Sequence, residues 1–69
     1  MATAFDIVQW LRSNGEVLAL GRLDVRMMEA SSKEKLSVRA IDRTTLCSPE
    51  FIDALRREAS IVVGKPCPK

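Results

Sequence analysis

The side chains that could do chemistry are few, and what is missing excludes more than what is present suggests. The chain of 69 residues has no histidine, two cysteines, nine acids and eleven Lys or Arg. Histidine is the commonest general base near neutral pH, and without it neither Cys47 nor Cys67 has an imidazole to activate it. Cys47 precedes Ser48-Pro49-Glu50, a helix-start signature, so the helix dipole would favour its thiolate. A small apolar side chain set against the core is the plainer role. The two cysteines form no Cys-x-x-Cys pair and have no histidine beside them, so no zinc-type ligand set is expected. A disulfide could only join one to the other. The N-terminal Met-Ala-Thr-Ala-Phe-Asp lacks the basic and apolar regions of an export leader, so the expected setting is the reducing cytoplasm. Val63-Gly64-Lys65 lacks the earlier glycine and the following helix of a phosphate-binding loop. Asp24 and Asp42 read as surface or strand-end charges. These residues imply a protein without catalysis, cofactor or metal.

Binding chemistry remains. The net charge is +2 with 29% charged residues of both signs, too mild to establish nucleic-acid binding by itself. Two arrangements would concentrate it. Arg22, Arg26, Lys35, Arg39 and Arg43 could line a two-stranded ribbon, or a helix over 48–59 could present Arg56 and Arg57 to a groove. Phe5, Trp10 and Phe51 all fall on expected helices, which leaves no strand-borne platform for stacking bases.

The elements that would position these residues follow from periodicity. Thr3 with Asp6 forms a variant capping box, and Ala4, Ile7, Val8 and Leu11 make one helical stripe flanked by Phe5 and Trp10. Ser13-Asn14-Gly15 closes that helix, with Gly15 suited to the left-handed position. Over 22–42, apolar and polar residues alternate on either side of Ser31-Ser32, which predicts a β-hairpin. Its inner face pairs Met27 with Leu36, Val25 with Val38 and Leu23 with Ala40. The outer face pairs Asp24 with Arg39, Arg26 with Ser37, Met28 with Lys35 and Arg22 with Ile41. A competing reading makes 16–30 a second helix with Leu20, Leu23, Met27 and Ala30 as its stripe. Gly21 would then sit inside it at a cost of about 1 kcal/mol, and the fold would be a small all-α bundle. Ser48 caps a last helix with Pro49 in its first turn, Phe51, Ile52, Leu55 and Ala59 inward, and Asp53 paired with Arg57. Ile61-Val62-Val63 reads as a short third strand on its β-branching, against a helix prolonged to Gly64. The expectation is thus one α+β domain over 1–64, in the order helix, hairpin, helix, followed by a loose tail over 65–69.

On that fold the first helix has a wider apolar arc than a small sheet requires, while Met28 and Ile41 interrupt the charged face. Trp10, Met28 and Ile41, with Arg22, Arg26 and Arg39, are therefore the expected partner-binding residues. The implied function is a self-associating protein, a homodimer, that inhibits or adapts a larger protein. Small size and the lack of catalytic groups fit the type of short regulators made by phages and bacteria, an analogy of type and not of motif.

Overall fold

Thr3 opens the first helix with the reciprocal bonds its sequence predicts. Its hydroxyl accepts from the Asp6 N–H at 3.2 Å, and its own N–H donates to Asp6 Oδ2 at 2.9 Å. In the computed structural model, which describes residues 2–14, 18–30, 34 and 36–67, this helix, α1, runs over Ala4–Ser13. Among the described residues two more helices follow, α2 over Ala19–Glu29 and α3 over Pro49–Val63, with a 3₁₀ turn at Val38–Ala40 between them. Gly15, the expected helix stop, lies outside the described residues, and α1 ends with Asn14 as its C-cap.

The fold is all-α, and the expected hairpin is not formed: the described residues include no strand. The stretch holding its first strand is α2. Alternation through Leu23, Val25 and Met27 fits a strand, but Ala19, Leu23 and Met27 recur at helical spacing, and burial follows the second pattern. Leu23 and Met27 are 0% and 4% exposed, whereas Val25, which a strand would bury beside them, is 56% exposed. Both patterns bury Leu23 and Met27, about 1.5–3 kcal/mol each, so the helix keeps a gain larger than the roughly 1 kcal/mol that Gly21 costs. It is the burial of Ala19 in place of Val25 that separates the two. Ser31, Ser32 and Lys35 of the expected turn and second strand fall outside the described residues.

The rest of the expected second strand becomes a bracket on α2. Asp24 accepts the Val38 N–H at 2.6 Å, and Arg39 Nε lies 3.8 Å from the same carboxylate. The Asp24–Arg39 pair expected across two strands is therefore close in space, but it joins a helix to a 3₁₀ turn. Val38 and Ile41 are buried, so this turn carries two core side chains inward.

α3 begins and ends on local signals. Ser48 Oγ accepts the Phe51 N–H at 3.2 Å, Pro49 occupies the first turn, and Glu34 accepts the Ser48 N–H at 3.2 Å. The helix continues through Ile61, Val62 and Val63, contrary to the expected third strand. It stops at Gly64, whose φ of 77° is the left-handed conformation that glycine adopts without a side-chain clash. β-Branching lowers helix propensity by only tenths of a kcal/mol, which one added backbone bond per residue outweighs. The core between the helices holds Ile7, Val8 and Leu11 of α1, Leu23 and Met27 of α2, and Phe51, Leu55 and Ala59 of α3. None of the described helices is long and apolar enough to cross a membrane.

Candidate protein-docking surface

α2 turns one side to the core and leaves another unmatched. Leu18, Arg22, Val25 and Glu29 recur at i, i+4, i+7 and i+11, a single stripe on a helix. Leu18 is 67% and Val25 56% exposed, and Met28, one turn beyond Val25, is 82% exposed. Ile61 at the end of α3, also more than half exposed, continues this surface: Val25, Ile61 and Val62 line an open groove rimmed by Arg22, Arg26 and Glu29. Leu46, almost fully exposed, lies apart, beside a second groove lined by Phe5, Cys47 and Ile52.

The residues expected to bind a partner are not gathered on one face. Met28 is exposed, and Arg22 and Arg26 lie along the α2–α3 groove. Trp10 is half-buried against the core, and Ile41 is buried at 3% exposure. Arg39 lies over Gly21 on α2, next to Asp24. The cationic ribbon does not exist, because the hairpin that would align its arginines does not form. Three of those arginines face carboxylates or a ring. Arg26 donates through Nε and Nη2 to Glu58 Oε2, each at 3.1 Å. Arg39 is placed by Asp24, and Arg43 sits over the Phe5 ring at 5.1 Å. On α3, Arg56 pairs with Asp53 at 3.2 Å in place of the expected Asp53–Arg57 pair, while Arg57 is exposed. Lys35 lies outside the described residues.

Titratable groups here act as structure. Hydrogen bonds from the Thr3 backbone and hydroxyl hold the Asp6 carboxyl below its ordinary range, and those from Thr44 and Thr45 do the same for Asp42. Burial pushes the Cys47 thiol up, with Glu34 adding to the effect, so its position before α3 does not yield a thiolate. Burial raises Cys67 as well. The two thiols are free and far apart: Cys47 precedes the α3 cap, whereas the Cys67 N–H donates to Ser60 Oγ at 3.0 Å. From Ser48 to Ser60 the helix rises about 18 Å, beyond the roughly 7 Å Cα separation that a disulfide tolerates. Among the described residues no group of His, Cys, Asp or Glu could hold a metal ion.

Leu18, Val25 and Ile61 are the surface residues that periodicity did not reveal. Their signal was present in the spacing of Leu18, Arg22, Val25 and Glu29, but it carries meaning only if 18–29 is helical. No protein-family model, curated protein or solved structure matches the chain.

Proposed function

We propose that this chain is a non-enzymatic interaction protein that self-associates and binds a larger protein, which it blocks or adapts. Its working surface is the α2–α3 face, which self-association and the larger partner use in turn. One observation carries the reading: Leu18 at the α2 N-cap, Val25 and Met28 on α2, and Ile61 on α3, four large apolar side chains, are all more than half exposed in a 69-residue chain. Scattered singly, such residues need no explanation, but Val25 and Ile61 share one groove, and contiguous apolar surface marks interaction sites. Trp10, half-buried on α1, offers a second apolar handle beside the core. A reducing, cytoplasmic setting accords with two thiols that α3 keeps apart. Nucleic-acid binding is the weaker reading, since Arg26, Arg39 and Arg56 face acids rather than a common surface.

A photo-crosslinking residue placed at Val25 tests this in the native cell, with Thr44 as the exposed control. The expected result is a defined adduct at position 25 that disappears when Ile61→Asp is added to the same chain. Equal crosslinking from Val25 and Thr44 would refute the assignment of this face.

A further inference from the structure

Resting on that reading, we propose that a second copy of this chain occupies the α2–α3 face, with the two α2 helices antiparallel about a two-fold axis beside Val25. The charge pattern selects this occupant. Arg22 and Glu29 are seven residues apart on one stripe, with Val25 between them. An antiparallel two-fold that sets Arg22 of one copy opposite Glu29 of the other necessarily repeats the pair with the copies exchanged. It also brings the two Val25 side chains to within about 1.5 Å of the same level, given the rise per residue. A parallel arrangement in the same register would set Arg22 against Arg22 and Glu29 against Glu29. The stripe is therefore complementary to itself in one direction and repulsive in the other. Arg22 has contacts within the monomer, and a guanidinium with five N–H donors can serve the partner's carboxylate as well.

Area explains why α3 must take part. A standard interface covers about 800 Å² on each partner, close to one-sixth of the 4761 Å² surface of this chain. One face of an 11-residue helix cannot supply that. Ile61 and Val62 lie beside Val25 and widen the contact, while the Arg26–Glu58 pair ties α2 to α3 at its rim.

Sedimentation of the purified full chain across micromolar concentrations, with circular dichroism of every variant to confirm folding, is the test. The expected species is a dimer, weakened at least about tenfold by Arg22→Glu or by Glu29→Arg alone and restored by the double reversal. A dimer that the double reversal fails to restore overturns the antiparallel register. A monomer at every concentration overturns the second copy as occupant. In that case a Val25 crosslink to a different protein would leave the docking reading standing, and equal crosslinking from Val25 and Thr44 would remove both.

Discussion

α2 and α3 pack against one another, yet they are helical for different reasons. α3 carries clear local start and stop signals: a serine cap, proline in its first turn, Glu50 at the positive end of its dipole, and a left-handed glycine at its close. α2 carries almost none. Leu18 at its N-cap makes no side-chain bond, its first turn has no acid, Gly21 lies in its interior, and it runs out at Ala30 without a left-handed stop. What makes 19–29 helical is the burial of Ala19, Leu23 and Met27 against the other two helices. The helix with least local support therefore also bears most of the exposed apolar surface. Its conformation and its binding face both depend on its seat against α3.

The largest expected effect comes from removing that seat. Leu23→Ala deletes a fully buried side chain and should lower stability by about 2–5 kcal/mol. The whole stability of a domain this small is only about 3–10 kcal/mol on the usual per-residue scale. Urea unfolding followed by circular dichroism would measure it, and a loss below about 1 kcal/mol would contradict a tertiary origin for α2. Next comes the bracket. Asp24→Ala leaves the Val38 N–H without its acceptor and frees the 3₁₀ turn from α2, a change expected to cost about 1–3 kcal/mol. Hydrogen exchange at Val38 should accelerate well beyond that at Phe51, whose N–H is held by Ser48 inside α3. Equal acceleration at both amides would mean that the bracket is not a separate device.

This contrast also explains how far the sequence was legible. The starts of α1 and α3 were readable because their caps act within four residues of chain. The end of α3 at Gly64 was hidden, because the β-branching of Ile61, Val62 and Val63 reads as a strand. The span 19–29 was not readable either, because Leu23, Val25 and Met27 satisfy period two while Ala19, Leu23 and Met27 satisfy helical spacing. Only the partner surface decides whether Val25 is inside or outside. That one side chain then propagates into the site: counted as core it hides the groove, and counted as surface it reveals it with Ile61. Met28 was legible as an exposed thioether under either pattern, whereas Ile41 was placed on a charged face and is buried beside Val38. The arginines were legible as cations but not as partners of Glu58, Asp24 and Phe5, since those pairings arise from helices meeting in space.

Gly21→Ala is the smallest effect and the sharpest probe of the contrast, because it changes local preference without touching the core. Alanine favours a helix interior over glycine by about 0.8–1.0 kcal/mol, so the substitution gives α2 part of the local support that α3 already has. Opposing this, the new methyl carbon would lie 2.9 Å from Arg39 Nη2, too close for the guanidinium to stay in place. Arg39 is the flexible, 62% exposed member of a 3.8 Å pair with Asp24. Its displacement should forfeit well under 1 kcal/mol, as exposed ion pairs do. The net expectation is a gain of a few tenths of a kcal/mol, read as a higher urea midpoint at unchanged slope. A lower midpoint would mean that Arg39 lying across the α2 backbone holds this helix in place, and that glycine at position 21 serves that close approach.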